Sequence, residues 1–142
     1  MSPLRDRLER SRLYFVGDER AVERALPAAL RGGADLFQLR MKDAGDDAVL
    51  RAAERARVLC TEHGALFLVN DRPDLALAAG ADGVHVGQDD TPVAEARAAV
   101  GDERIVGLST HAPAQLAAAA GVDYVAGRPG FVGVAWTGPT AT

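Results

Sequence analysis

The sequence predicts an α/β fold built on a parallel sheet, within one domain of 142 residues. Three observations carry this. Short apolar runs alternate with longer segments whose apolar residues recur at helical spacing. A Gly-x-Asp echo at 33–35, 80–82 and 121–123 falls each time where a helix hands over to a strand. The polar residues suited to chemistry collect at one end of the apolar runs. Strands alternating with helices imply βαβ crossovers of right-handed connection. At this level the choice stays open between a doubly wound open sheet and a (β/α)8 barrel.

Taken in order, "LYFVG" (13–17) reads as the first strand. Asp18 is placed to cap a helix over 19–31, with Val22, Ala25, Leu26, Ala29 and Leu30 on one stripe and Gly32-Gly33 ending it. "DLFQLR" (35–40) is strand two. Asp46 or Asp47 opens a second helix, striped by Val49, Ala52, Ala53, Ala56, Leu59 and Cys60 and closed by Gly64. "ALFLVN" (65–70) is strand three, "PDLALAAG" (73–80) a short helix and "GVHVG" (83–87) strand four. Thr91-Pro92 starts a helix through Val100. "RIVGLS" (104–109), "PAQLAAAAG" (113–121) and "DYVAG" (123–127) complete the series as strand, helix and strand. In each echo the glycine suits a left-handed helix cap, and the aspartate begins the loop into the next strand.

Bulk composition excludes several classes. The chain is 48% hydrophobic and 25% charged, the mix of a globular protein, and its net charge of -4 argues against a nucleic-acid footprint. A single cysteine, Cys60, rules out an internal disulfide framework and fits a reducing compartment. No apolar run reaches membrane-spanning length, and "MSPLRDRLERSR" lacks the apolar core of a signal peptide. The expectation is a cytoplasmic protein with no membrane partner.

In "FQLRMKD" (37–43), Phe37, Leu39 and Met41 alternate with Gln38, Arg40 and Lys42. A strand there puts apolar side chains on one face and hydrogen-bond donors on the other. Strand three ends in Asn70-Asp71, strand four runs into "HVGQDD" (85–90), and strand five ends in "STH" (109–111). Carboxyl ends of parallel strands carry the site in α/β folds because their loops converge on one mouth. Arg40 offers a planar fork for phosphate oxygens and Lys42 a point charge. Asp71 and Asp90 form the carboxylate pair that Mg2+ favours alongside substrate phosphate. Ser109 and Asn70 can donate to a phosphate or a heteroaromatic ring. No nucleophile–base pair is present, so charge stabilisation of a leaving group is the natural chemistry.

Plainer readings stand beside these. Alone, Arg40 and Lys42 read as solvated charges on an edge strand, and Asn70-Asp71 as turn formers or a cap for the helix at Pro73. His85 alternates with valines and is read as filling the interior with a satisfied hydrogen bond. His111 is read as a loop or cap residue, Gln88 and Asp89 as loop-shaping, and Cys60 as core.

"QLRMK" (38–42), "VND" (69–71), "HVGQDD" (85–90) and "GLSTH" (107–111), in this order, resemble the thiamine-phosphate synthase family from about Leu13 to about Ala126. The resemblance implies a (β/α)8 TIM barrel of which about six βα units are present, as one partial domain over 1–142 with an atypical tail at 127–142. It implies a transferase of thiamine biosynthesis that joins hydroxymethylpyrimidine diphosphate to thiazole phosphate and releases pyrophosphate. By the same resemblance Gln38, Arg40 and Lys42, in the substrate-binding stretch that includes Leu39 and Met41, hold the diphosphate. Asn70 contacts the pyrimidine, Asp71 and Asp90 bind Mg2+, and Ser109 contacts the diphosphate. The implied mechanism is dissociative: pyrophosphate departs first, and the thiazole nitrogen captures a pyrimidine cation.

Two departures from the family pattern shape the expectations. A full barrel typically takes about 250 residues and rarely fewer than about 200. In "GRPGFVGVAWTGPTAT" (127–142), Pro139-Thr140-Ala141-Thr142 stands where the family carries a Thr-x-Thr-Lys motif, and no lysine follows. A truncated gene or shifted frame would account for this stretch. Six strands of a barrel leave two open edges, so self-association through them is expected. The competing readings are a fragment that binds the pyrimidine diphosphate without turnover, a thiazole tautomerase-like paralogue, and a non-enzymatic phosphate-binding module on an open sheet. Retention of Arg40 and Lys42 with both aspartates disfavours the paralogue.

Overall fold

The computed structural model describes residues 3–112, 114–115 and 119–127. Six parallel strands lie in sequence order: β1 (Tyr14–Gly17), β2 (Leu36–Leu39), β3 (Leu66–Asn70), β4 (Gly83–Val86), β5 (Ile105–Ser109) and β6 (Tyr124–Ala126). The helices are α1 (Pro3–Arg10), α2 (Glu19–Arg24), α3 (Leu26–Arg31), α4 (Asp46–His63), α5 (Pro73–Ala78) and α6 (Val93–Val100). Sequential parallel pairing with helical crossovers gives a curled half-barrel of the (β/α)8 type, which removes the open doubly wound alternative. Among the described residues, no helix is long and apolar enough to cross a membrane.

Two elements differ from the sequence reading. The helix over 19–31 is divided: α2 stops at Arg24, Ala25 takes φ -122°, and α3 begins with Pro27 in its first turn. Proline has no N–H for an i−4 bond and disfavours helical backbone in the residue before it, so the apolar stripe continues while the ladder breaks. Helix α1 was not anticipated. Leu4 and Leu8, four residues apart, lay its apolar side against the inner face of the sheet. The helix expected over 113–121 lies largely outside the described residues, as do Thr140, Thr142 and all of the 127–142 tail except Gly127.

Each face of the sheet has its own core. Outward-facing Phe37, Leu39, Phe67, Val69, Val84 and Val106 pack against the helices, where Leu26, Ala53, Ala56, Cys60 and Ala76 meet them. Phe37 and Phe67 stack with centroids 6.2 Å apart. Inward-facing Leu36, Leu66, Leu68, Ile105 and Tyr124 form a second cluster that Leu8 closes from below. Gly107 is required here. A Cβ at this position would lie 2.1 Å from the ring of Tyr124, which fills the interior above it.

The Gly-x-Asp echo is a repeated latch. Gly33, Gly80 and Gly121 take φ of 110°, 68° and 77°, the left-handed backbone that glycine adopts without penalty. The following aspartates turn back to accept main-chain N–H groups at the bottom of a neighbouring strand. Asp35 accepts from Arg12 and Leu13, Asp82 from Phe67 at 2.8 Å, and Asp123 from Val106 at 2.8 Å. Asp123 also accepts from Arg5 at 2.6 Å and Arg97 at 2.8 Å, tying α1 and α6 to the sheet.

Candidate active site

Strand register sets the height of every rim residue. Gln38 pairs with Leu68, Asn70 with His85 and His85 with Gly107, and the Arg40 N–H donates to Gly17 O at 2.8 Å one residue beyond β2. Arg40 and Asn70 therefore stand one step above Gln38 on the same inward face. Arg40 and Lys42 are exposed, with Lys42 in the turn that follows β2. Leu39, 1% exposed, and half-buried Met41 turn their side chains to the helix-facing core, so that stretch can present only its backbone to the mouth at these two positions.

The carboxylates meet at this end. Asp71 follows β3 with φ 66°, a left-handed conformation that costs a non-glycine residue about 1 kcal/mol and that aspartate tolerates better than most. Its N–H donates to His85 O at 2.6 Å, and Thr91 Oγ1 donates to its carbonyl at 3.4 Å. Burial first, then the charge of Asp90, pushes the Asp71 carboxyl above the usual carboxylate range, while the Thr91 N–H and the Lys42 ammonium pull it back. The two carboxyl groups lie within hydrogen-bonding reach of each other. Asp90 Oδ2 accepts the Gly87 N–H at 2.8 Å, which holds the loop after β4 in place. Two hard oxygen donors that repel one another beside cations are a donor set suited to Mg2+.

Beneath the rim lies a line of buried polar groups. Gln38 Nε2 donates to Tyr14 Oη at 2.7 Å, and the Tyr14 and Tyr124 hydroxyls are 2.6 Å apart. Tyr124 Oη lies 2.6 Å from His85 Nδ1, and His85 Nε2 lies 2.7 Å from Ser109 Oγ. Burial, then the Arg40 guanidinium, pulls His85 down to about 4, so the imidazole is neutral at pH 7. The expectation that His85 fills the interior with its hydrogen bonds made holds. Gln38 sits in this layer, 4% exposed, rather than at the rim. Tyr14 and Tyr124 escaped the sequence reading. The signal available was a tyrosine in each of two strands with a glycine, Gly107, at the register position facing one of them.

The remaining assignments fall into place. Gln88 Nε2 donates to Ser109 O at 2.9 Å and joins the loop after β4 to the end of β5, whereas Asp89 and His111 are exposed. Cys60 is buried in the helix-facing core, its thiol pushed up to about 12 by burial and then by Asp82. The fold thus brings Arg40, Lys42, Asn70, Asp71, Asp90 and Ser109 to one end of the half-barrel.

A family model described as thiamine monophosphate synthase matches residues 13–133. The chain belongs to the thiamine monophosphate synthase family. Within the family, it is 51% identical over 129 residues to the thiamine-phosphate synthase of Gloeobacter violaceus, covering 89% of this chain and 38% of that protein. It is 48% identical over 147 residues to the thiamine-phosphate synthase of Thermobifida fusca, covering 96% and 64% respectively. Among solved structures, thiamine phosphate pyrophosphorylase from Pyrococcus furiosus matches with a TM-score of 0.75 and 34% identity over 90% of this chain and 63% of that one. A citrate synthase variant matches with a TM-score of 0.66 at 13% identity, a likeness of fold alone. The chain thus spans between 38% and 64% of the length of these family relatives.

Proposed function

We propose that this end of the half-barrel is the diphosphate clamp of a thiamine-phosphate synthase, which transfers hydroxymethylpyrimidine from its diphosphate to thiazole phosphate. The observation that carries the reading is the convergence of a guanidinium, an ammonium and two mutually repelling carboxylates at the ends of successive parallel strands. Asp71 and Asp90 would hold Mg2+, which supplies charge neutralisation to diphosphate oxygens when bound. Arg40 binds the diphosphate as a two-pronged donor and Lys42 adds a point charge. Their pull grows as negative charge accumulates on the departing group, so they favour the transition state over the ground state. Asn70, beside His85 in the register, orients the pyrimidine, and Ser109 donates a hydroxyl to the diphosphate. No side chain needs to attack covalently in this dissociative scheme.

A second reading is binding of the pyrimidine diphosphate without turnover. Both readings are tested with the purified chain, the two substrates and Mg2+. Pyrophosphate release that requires thiazole phosphate supports the synthase. Heat of binding for the pyrimidine diphosphate with no release supports the second reading, and absence of both refutes the clamp.

A further inference from the structure

The five-residue line beneath the rim has a direction. Gln38 Nε2 is a donor only, so Tyr14 Oη accepts from it at 2.7 Å. The single Tyr14 hydroxyl proton then has one described acceptor, Tyr124 Oη at 2.6 Å. Tyr124 in turn passes its own proton to His85 Nδ1 at 2.6 Å. An imidazole that accepts at Nδ1 carries its proton at Nε2, which donates to Ser109 Oγ at 2.7 Å. Ser109 Oγ is thereby an acceptor from below, and its own proton is left for the mouth.

The alternatives are costly or reversed. A doubly protonated His85 would donate from Nδ1, turning Tyr124 toward Tyr14, whose proton would then lose its described acceptor in the interior. Turning the Gln38 amide over would reverse every bond in the line and spend the Ser109 proton on His85 Nε2.

We infer that Tyr14, Tyr124 and His85 are positioning residues that fix the Ser109 hydroxyl as a hydrogen-bond donor to a phosphoryl oxygen, the direction being set by Gln38. The inference deepens the diphosphate clamp and rests on that reading for its ligand. Its geometric core is the buried line that joins β2, β1, β6, β4 and β5. Pre-setting a donor matters because a hydroxyl already committed as a donor must break that bond before serving an anion.

Nitrogen-15 NMR of the full chain labelled at histidine reads the direction without any substitution. The expected spectrum shows His85 protonated at Nε2 and bare at Nδ1. A proton on Nδ1 overturns the inference. Titration calorimetry with magnesium pyrophosphate supplies the second arm. Tyr124→Phe removes the proton given to Nδ1 and should weaken binding about tenfold, the scale of one hydrogen bond to a charged group. Ser109→Ala should weaken it at least as much, and the double variant should bind like Ser109→Ala alone. Losses that simply add would make Tyr124 a packing residue and overturn the inference. Failure of the wild-type chain to bind pyrophosphate would refute the clamp instead, while the NMR result still decides the direction of the line.

Discussion

The two ends of the sheet spend their aspartates differently. At the bottom, Asp35, Asp82 and Asp123 each bind main-chain N–H groups of a neighbouring strand, and Asp123 adds two arginines. At the top, Asp71 and Asp90 face one another, and Asp71 is pushed up by burial and by that neighbour. Bottom carboxylates are consumed in holding the fold. Top carboxylates are held together against their own repulsion, in a backbone conformation that carries strain at Asp71. The same residue type thus separates, by the end of the strand it occupies, into a set that stabilises the fold and a set that the proposed function directs at a ligand.

That contrast can be broken in several ways. The largest effect is expected at the top, in binding. Arg40→Gln should reduce affinity for the magnesium complex of the pyrimidine diphosphate at least about a thousandfold, about 4 kcal/mol by calorimetry, with little change in urea midpoint. Affinity within about threefold of wild type would remove Arg40 from the clamp. At the bottom, Asp123 is 9% exposed and serves three donors, so Asp123→Ala should cost about 3 kcal/mol in urea unfolding. A cost below about 1 kcal/mol would mean the latch does not hold the fold.

Between the two ends, His85 gives a pH signature. Its folded-state value, about 4, lies below the unfolded value of about 6.5, so the unfolded chain binds more protons in that interval. Its contribution is complete above pH about 6.5, and as pH falls toward about 4 up to about 3 kcal/mol is lost. Thermal unfolding across that range should show the acid limb in the wild type and a flatter one in His85→Gln. Equal slopes would place the acid sensitivity elsewhere. The smallest effect separates the two kinds of aspartate most sharply. Asp71→Asn relieves repulsion at a left-handed position that asparagine accepts, so stability should hold or rise by up to about 1 kcal/mol. The Mg2+-dependence of pyrophosphate binding should disappear in the same variant. Destabilisation comparable to Asp123→Ala would erase the distinction between top and bottom.

Self-association sharpens the account from another side. Among the described residues β1 and β6 each pair with a single strand, and Val16 on β1 is 44% exposed. Sedimentation of the full chain should show concentration-dependent mass, and a stable monomer at all concentrations would count against open edges.

Most of the strand framework was legible because two periodicities speak plainly. "ALFLVN" and "GVHVG" are short apolar runs bounded by turns, and the stripe from Val49 to Cys60 runs along most of the 18-residue α4. The glycines of the echo also showed their caps. What escaped depended on contacts across the sheet. The stripe over 19–31 looks continuous although Pro27 breaks its ladder, because side-chain spacing and backbone bonding are separate properties. Charged residues dominate α1, whose role rests on Leu4 and Leu8 reaching the inner face. At the mouth, the placement of Arg40, Lys42, Asp71 and Asp90 was legible because each falls within four residues of the end of an apolar run. Gln38 was placed at the rim, since no local pattern says that Tyr14, 24 residues earlier, takes its amide. Tyr124 and Gly107 make sense only as a pair, which register alone reveals.

The central claim is that the top of this half-barrel grips a magnesium-bound diphosphate. Calorimetry of the pyrimidine diphosphate with the full chain, run with Mg2+ and with a chelator, tests it most directly. The account predicts one site per chain, strong only when Mg2+ is present and abolished by Arg40→Gln. Binding indifferent to both the cation and that substitution would contradict it.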